Sequence, residues 1–286
     1  MSTKQYADKY IVLSPGLILL AGIFAICLEC ATTNQYKEQE PIASIIASTR
    51  TVAIGVQIAS DGMYCGGAQK DAETVAATFA DPVTQLIDSD ATLANIQRII
   101  YREALAAYSN NQVLVICNSG HGGEVQDVSG DEPTGKDQFL VLYDSYWLDD
   151  NIWIWICDNL PPIRILMLTD TCHAGSMWRL YTRMATGGVL CNQQSQMLLD
   201  FMREMDSFGG EIIQIAGCWS GGSSYGDDES GGNLTRTFCG LAGRGLSITN
   251  HFRATYNAMP RHQKPVWTEH KASDEFRNAG IKWRIQ

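Results

Sequence analysis

Basic residues are scarce in this chain relative to acidic ones. The 286 residues include 21 Lys and Arg against 31 Asp and Glu, which gives a formal net charge of −10. A protein that binds nucleic acid through its phosphates needs a positive surface, so this composition argues against a nucleic-acid partner. An acidic surface instead favours cationic peptides or divalent metal ions, although many proteins carry such charge simply to stay soluble.

The sequence also lacks the cysteine pattern of a disulfide framework. Its nine cysteines are odd in number and scattered over the chain, which is not typical of disulfide-rich domains or zinc ribbons. We therefore expect most of them, including Cys117 and Cys157 in apolar surroundings, to be reduced and buried. Hydrophobic residues make up 45% of the chain, enough for a substantial core.

One long run without charge lies near the N terminus. Residues 11–28, IVLSPGLILLAGIFAICL, have about the minimum length that can cross a bilayer. We predict that residues 1–31 form a signal peptide or a membrane anchor, so that the protein is exported or associates with a membrane through residues 11–28. The alternative is a buried helix in a cytoplasmic protein, because the SPG triplet dilutes the apolar run.

The remaining chain divides into a short linker and one large domain. Residues 32–50 are more polar and predict a linker, and the folded domain is expected over residues 51–286. Within the domain, strand-like apolar runs alternate with helical patterns, which predicts an α/β fold with a mostly parallel sheet between helix layers. The strand-like runs are 51–59, 112–118, 138–144, 163–170 and 211–217, and the helical patterns are 70–80, 89–111, 148–160 and 233–259.

Polar, glycine-rich loops follow three of the predicted strands. SGHGG contains His121, DTCHAGS contains Cys172, and CWSGGSSYG begins at Cys218. Because the carboxyl ends of parallel strands meet at one edge of a sheet, we expect these loops to converge. An imidazole beside a thiol makes the sulfur a nucleophile that attacks carbonyl carbon. The sequence thus predicts a His121/Cys172 dyad, with the backbone N–H groups of Gly122 and Cys172 stabilising the oxyanion.

The residues of the predicted dyad have two other interpretations, packing and metal binding. A Cys or a His alone at the end of a strand is most often a packing residue. A zinc site at Cys172, His173 and His121 is disfavoured, because adjacent residues in a turn point in different directions.

The motifs SGHGG, GKDQFLVLYD, LDD and DTCHAGS together resemble those of caspase-like cysteine peptidases, specifically metacaspases and their bacterial relatives. The resemblance covers residues 51–260. It implies a caspase-like three-layer α/β/α sandwich with a mostly parallel central sheet, a monomeric cysteine endopeptidase without an organic cofactor, and a dyad of His121 and Cys172. The alternatives are an inactive interaction module of the same fold, or a caspase-like or legumain-like peptidase of different specificity.

Carboxylates near the dyad predict the class of substrate. Asp170, two residues before Cys172, would lie beside the pocket for the side chain that precedes the scissile bond, where it would attract Arg or Lys. The expected partners are therefore proteins or peptides with a basic residue at that position. The resemblance adds further members of the pocket and cleft, which are Asp71, Ser119, Cys218 and Trp219. Two of them have a structural alternative: Asp71 could be a charge at a helix N terminus, and Trp219 could be a packing residue.

The resemblance also implies a calcium site. Many metacaspases need this hard cation, which carboxylates bind, and Asp137, Asp149 and Asp150 stand at matching places. The family's fourth acid is replaced by Arg179, a cation that would repel calcium. Both outcomes therefore stay open, and the alternative is a solvated acidic loop with a helix N-cap at Asp149 or Asp150.

Self-cleavage is a further expectation from the resemblance. Some family members cut themselves in the interval that corresponds to residues 176–210, which here contains Arg179, Arg183 and Arg203. We predict processing after one of these basic residues.

Overall fold

The computed structural model describes residues 46–80, 82–128, 135–176 and 208–284, all of which lie in the unit that spans residues 41–286. The predicted signal or anchor over residues 1–31 and the three arginines predicted as cleavage sites lie outside the described residues. Within the described ranges, no helix combines the length and the apolar character that crossing a bilayer requires.

Strands and helices alternate along the described chain, as the sequence predicts. Two single turns of 3₁₀ helix, Asp88–Asp90 and Ala174–Ser176, accompany them. In chain order the elements are β1 (Ile46–Ala47), β2 (Thr49–Gly55), α1 (Ala68–Thr78), β3 (Val83–Ile87), α2 (Leu93–Ser109), β4 (Val113–Ser119), β5 (Gly122–Gln126), β6 (Lys136–Val141), β7 (Tyr146–Leu148), α3 (Asp149–Asn159), β8 (Arg164–Asp170), β9 (Glu211–Ala216), β10 (Gly226–Asp227), β11 (Gly231–Gly232), α4 (Asn233–Gly240), α5 (Ile248–Ala258), β12 (Val266–His270), α6 (Asp274–Arg277) and β13 (Gly280–Ile281).

A six-stranded sheet forms the centre of the domain, with the strand order β12-β9-β8-β4-β2-β3. Five strands are parallel, and only β12 at one edge runs antiparallel to its neighbour. Every residue of β4 is buried, which explains its continuous apolar run, since a central parallel strand is covered on both faces. The mostly parallel sheet predicted from the sequence is therefore confirmed.

Helices cover both faces of this sheet. On β2, Val52 and Ile54 face a core that includes side chains of α2 and α3. Ala53, between them, faces a second core that includes side chains of α1, α4 and α5. Because successive residues of a strand point to opposite faces, one strand contributes to both cores. The predicted three-layer α/β/α arrangement is thus present.

One prediction about strands was wrong, and two strands were missed. The run 138–144 was expected among the strands of the central sheet, but β6 pairs antiparallel with β5 and β7 in a separate three-stranded sheet. An apolar run shows that a strand is buried but does not identify its partners. The sequence pattern also gave no sign of the edge strands β3 and β12, in which polar and apolar residues mix.

The folded domain begins earlier than the predicted boundary at residue 51. The strand β1 starts at Ile46, and β2 starts at Thr49, inside the segment predicted as a linker. The polar residues there fit a strand because Thr49 is buried and Arg50 forms an ion pair with Glu103, with 2.6 Å between Nε and Oε2.

Strand register and one close helix approach position the candidate site. Ser119 at the end of β4 is the partner of both Gly55 on β2 and Asp170 on β8. A Cβ on Gly55 would overlap the backbone carbonyl of Ala68, so only glycine lets α1 start this close to the sheet. The helix is thereby held with Asp71 above the end of β4.

Candidate active site

The loops that carry His121 and Cys172 leave neighbouring strands at the same level. Each residue lies two positions beyond the paired residues Ser119 and Asp170. The loop backbones touch, because a Cβ on Gly122 would overlap the carbonyl oxygen of Cys172. The structure thus brings the two predicted dyad residues to one place at the carboxyl edge of the sheet.

The imidazole of His121 is oriented by a main-chain carbonyl. Its Nε2 lies 2.8 Å from the backbone oxygen of Tyr64. A carbonyl oxygen only accepts hydrogen bonds, so Nε2 must carry the proton and donate it. In the neutral ring, Nδ1 is then the acceptor, which is the form of histidine that can take a proton from a thiol.

The thiol of Cys172 sits in a tight turn beside Ser224. The backbone N–H of Ser224 donates to Sγ over 3.4 Å, and Sγ lies 3.7 Å from the carbonyl oxygen of Ser224. His173, the next residue, adopts a left-handed φ of 60° and donates its N–H to the carbonyl of Gly222 over 3.0 Å. The N–H of Ser224 can support negative charge on the sulfur, as a nucleophilic thiolate requires.

The N–H of Gly122, the predicted oxyanion donor, lies at the start of β5. The N–H of Val141 donates to the carbonyl of His121 over 3.0 Å, and the next pair in this antiparallel ladder is Gly122 with Leu140. Hydrogen-bonded and non-hydrogen-bonded pairs alternate in such a ladder. The N–H of Gly122 therefore points away from β6, on a backbone that contacts Cys172.

Two buried carboxylates lie next to the dyad. Asp71 accepts hydrogen bonds from the hydroxyl of Ser119 over 2.6 Å and from the N–H of Gly232 over 2.8 Å. Asp170 accepts from the N–H of Thr235 over 2.8 Å and from the hydroxyl of Ser224. A Cβ on Gly232 would overlap oxygens of both carboxylates. The two acids thus converge on one glycine.

Burial and mutual repulsion disfavour the charged forms of this pair. Burial and the negative charge of Asp170 raise the pKa of Asp71 to about 8, and these effects outweigh the hydrogen bonds from Ser119 and Gly232. Burial also raises the pKa of Asp170. Two close carboxyl groups share protons as a pair, and an arriving cation favours their ionised forms.

The structure separates Trp219 from Cys218. The indole of Trp219 is 65% exposed on the loop whose backbone contacts the turn after Cys172, so it can meet a substrate. Cys218 is only 2% exposed, and its thiol donates to the carbonyl of Thr171 over 3.4 Å. Its small side chain packs against the nucleophile turn, and a place for Cys218 in the cleft stays a prediction.

The predicted calcium ligands gather at the start of α3. Asp149 accepts hydrogen bonds from the N–H groups of Gln138 and Asp150, each over 3.1 Å. Burial and the negative charges of Asp150 and Asp137 raise its pKa to about 8. Among the described residues, however, no group of three or more His, Cys, Asp or Glu side chains is arranged to hold a metal ion. Arg179, which replaces the family's fourth acid, lies outside the described residues.

The sequence did not single out several residues that organise the site. Ser224 lies in a loop that was recognised for its glycines, and its contacts with both Cys172 and Asp170 required the fold. Gln263 is 1% exposed, and its amide donates to the hydroxyl of Ser224 over 2.8 Å and to the carbonyl of Gly217 over 3.1 Å. An isolated glutamine carries no sequence signal for this role.

Comparison with known proteins agrees with the geometry. The family model described as Caspase domain matches residues 50–277, well over half of the chain. The chain belongs to the caspase-domain family. Metacaspase-1 of Eremothecium gossypii is 36% identical over 104 residues, which are 35% of this chain and 23% of that protein. Metacaspase-1 of Ajellomyces capsulatus is 34% identical over 107 residues, which are 36% of this chain and 30% of that protein. The matches thus span less than a third of these relatives.

A solved structure shares the fold of this protein over most of the chain. The crystal structure of protein GSU0716 from Geobacter sulfurreducens aligns with 82% of this chain and 97% of its own, with a TM-score of 0.59 and 22% sequence identity. At this identity the likeness concerns the fold. The predicted caspase-like α/β sandwich is confirmed.

Proposed function

We propose that this caspase-domain protein is a cysteine endopeptidase that cleaves peptide bonds after Arg or Lys. The observation that carries the proposal is the pair of buried carboxylates beside the thiol. Asp170 lies two residues before Cys172, and Asp71 accepts a hydrogen bond from Ser119, which pairs with Asp170 at the strand ends. A thiol beside an oriented imidazole can carry out acyl transfer. An acidic pair beside the thiol favours substrates with a cationic side chain.

The contacts of His121 and Cys172 support the following sequence of steps. Nδ1 of His121 accepts the thiol proton, and Sγ of Cys172 forms a bond to the carbonyl carbon of the substrate. The N–H groups of Gly122 and Cys172 stabilise the oxyanion. The imidazolium then returns the proton to the leaving amine as the peptide C–N bond breaks. Water, deprotonated by His121, hydrolyses the thioester and regenerates the thiol.

The position of Ser224 links substrate selection to the nucleophile. Its hydroxyl donates to Asp170, and its N–H donates to Sγ of Cys172. Asp170 and the attacking sulfur therefore contact the same residue, Ser224, so a guanidinium or ammonium group that binds Asp170 lies close to the sulfur. Such placement of the side chain before the scissile bond brings the carbonyl to the thiol, which is the main benefit of oriented binding.

We also propose calcium stimulation and self-cleavage. The clustered acids Asp137, Asp149 and Asp150 support calcium binding, and no step above depends on the ion. A cation near them would relieve the repulsion that raises the pKa of Asp149. Self-cleavage is supported by the same preference for basic residues, of which Arg179, Arg183 and Arg203 are candidates.

The test uses fluorogenic peptides that end in Arg, Lys, Asp or Asn, with the full chain and its Cys172→Ala variant, in calcium and in chelator. We expect cleavage after Arg and Lys that Cys172→Ala abolishes. Cleavage confined to Asp or Asn peptides would reject the basic specificity. No cleavage of any peptide would favour an inactive interaction module. A denaturing gel of the active protein that shows one intact band would reject self-cleavage.

A further inference from the structure

A hydrogen-bonded carboxylate joins two distant parts of the chain at the edge of the site. The hydroxyl of Tyr64 donates to Oδ2 of Asp228 over 2.6 Å, and the N–H of Gly67 donates to Oδ1 over 3.1 Å. Asp228 lies in the tight turn between β10 and β11. A single side chain thus holds both ends of the segment from Tyr64 to Gly67.

This segment supplies the group that orients the imidazole. The carbonyl oxygen of Tyr64 is the acceptor for Nε2 of His121. The fit between the segment and Asp228 is close, because a Cβ on Gly66 would lie 2.6 Å from Oδ1 of Asp228. Glycine at this position lets the carboxylate pack directly against the backbone.

We propose that Asp228 is a positioning residue for His121, acting through the hydroxyl of Tyr64 to fix the carbonyl that orients the imidazole. The inference deepens the proposed peptidase function and rests on it. Asp228 touches no reacting atom, and its effect on catalysis passes through the Tyr64 segment.

The turn that carries Asp228 is itself held in place. Its neighbour Asp227 accepts hydrogen bonds from the N–H groups of Glu229 and Ser230 over 3.0 and 2.8 Å. Asp227 therefore stabilises the turn, while Asp228 reaches across to the other segment. The hydrogen bond to Asp228 raises the pKa of the Tyr64 phenol, so the hydroxyl remains a donor at neutral pH.

The expected consequence of losing this contact concerns the chemical step. If the Tyr64 carbonyl moves, Nε2 of His121 loses its acceptor and the ring can rotate, so that Nδ1 faces the thiol for less of the time. The imidazolium that forms during catalysis also loses a hydrogen bond to its charge. The buried pair Asp71 and Asp170 keeps its own partners, so substrate binding should change little.

The experiment measures kcat and KM on an Arg peptide for Tyr64→Phe, Asp228→Ala and the double variant of the full chain. We expect kcat to fall about tenfold in each single variant, in line with lost orientation at a reacting group, with KM within about twofold. The double variant should be no worse than Asp228→Ala, because residues that act through one contact are not additive. Asp228→Asn should retain most activity, because its amide can still accept from Gly67 and donate to the Tyr64 oxygen. Tyr108→Phe, at an exposed tyrosine on α2, is the control.

Alkylation of Cys172 by iodoacetamide at neutral pH gives a readout without peptide cleavage. We expect slower alkylation in Tyr64→Phe and Asp228→Ala than in the wild type. If the wild type cleaves no peptide but alkylation slows in this way, the peptidase proposal fails and the positioning role stands. Unchanged kcat and alkylation, additive losses in the double variant, or a raised KM at constant kcat would each overturn the role of Asp228.

Discussion

Buried carboxylates occur in two regions of this protein, and their surroundings differ. Glu103 on α2 is 3% exposed and is paired with Arg50 at 2.6 Å and Arg102 at 2.5 Å. Asp71 and Asp170, at the carboxyl edge of the sheet, are equally buried, and the hydrogen bonds they accept come from hydroxyl and backbone N–H groups. One carboxylate is paired directly with two cations of the fold, whereas the hydrogen-bond donors of the other two are neutral and the charge of Arg236 offsets the burial of Asp71 only weakly.

The pKa values follow this difference. Burial alone would raise the pKa of Glu103, but the hydrogen bonds and charges of Arg50 and Arg102 outweigh it and hold the pKa below its usual value. Burial and repulsion raise the pKa of Asp71 to about 8. A carboxylate compensated within the fold contributes to stability, whereas an uncompensated pair has a high affinity for a cation from outside. The comparison thus supports a role in folding for Glu103 and the proposed role in binding for the aspartate pair.

The largest expected effect is a loss of activity when Asp170 of the aspartate pair is neutralised. Asp170→Asn should lower kcat/KM for an Arg peptide about 1,000-fold, because removing one member of a buried charge contact costs about 4 kcal/mol. Iodoacetamide alkylation of Cys172 should stay near the wild-type rate, which serves as the control for an intact thiol. A loss smaller than tenfold would show that the pair does not bind the basic side chain.

Next in size is a loss of stability with no loss of activity. Glu103→Gln should lower the free energy of unfolding by about 2–3 kcal/mol, because it leaves Arg50 and Arg102 without their anion. The urea midpoint measures this, and kcat/KM per folded molecule should not change. Glu275→Gln is the matched control, because Glu275 is 61% exposed where it meets Arg164 and should cost less than about 0.5 kcal/mol. Equal losses in both variants would contradict the assignment of Glu103.

The same contrast shows how much the sequence can predict. His121, Cys172 and Asp170 could be predicted because each lies at the end of a buried strand or two residues beyond it. Parallel strands bring their carboxyl ends together. Asp71 required the family resemblance, because a lone acid in the first turn of a helix looks the same whether it serves the helix or a ligand. Its burial against Ser119 became evident only from the fold.

Other features depend on contacts between segments that are far apart in the chain. Gln263, Asp228 and the Tyr64 carbonyl act through hydrogen bonds to residues that are 30 to 164 positions away in the chain. Hydrogen bonds of this kind leave no periodic pattern in the sequence. The wrong sheet was predicted for β6 for a similar reason, because its apolar run is compatible with burial in either sheet. Burial can be predicted from such patterns, but pairing cannot.

A smaller effect concerns the pH dependence of specificity. The ratio of kcat/KM for an Arg peptide to that for the matching citrulline peptide should rise up to about tenfold between pH 6 and pH 9. Asp71 has a pKa of about 8, so the pair is partly protonated at low pH and attracts a cation more strongly once ionised. Because both peptides use the same dyad, the titration of the imidazole and the thiol cancels in the ratio. A ratio that is flat with pH would place the basic side chain elsewhere.

The smallest expected effect is a gain in stability. The folded-state pKa of Asp71, about 8, lies above its ordinary value, so the folded protein holds this proton more tightly than the unfolded chain does. The stability from that proton is complete only below the ordinary pKa of 3.8, and it is lost as the pH rises from there through about 8.

Asp71→Asn stays neutral throughout, so it should nearly match the wild type near pH 4, where Asp71 is still partly protonated in the unfolded chain too, and exceed its free energy of unfolding by at least about 1 kcal/mol at pH 9. Urea midpoints at the two pH values measure the difference, and cleavage of the Arg peptide should fall in the same variant. A gain in stability with a loss of activity would mean that Asp71 is kept for binding at the expense of folding, the opposite of Glu103. A loss of equal size at both pH values would mean that its hydrogen bonds to Ser119 and Gly232 outweigh its charge, and that Asp71 is a structural residue.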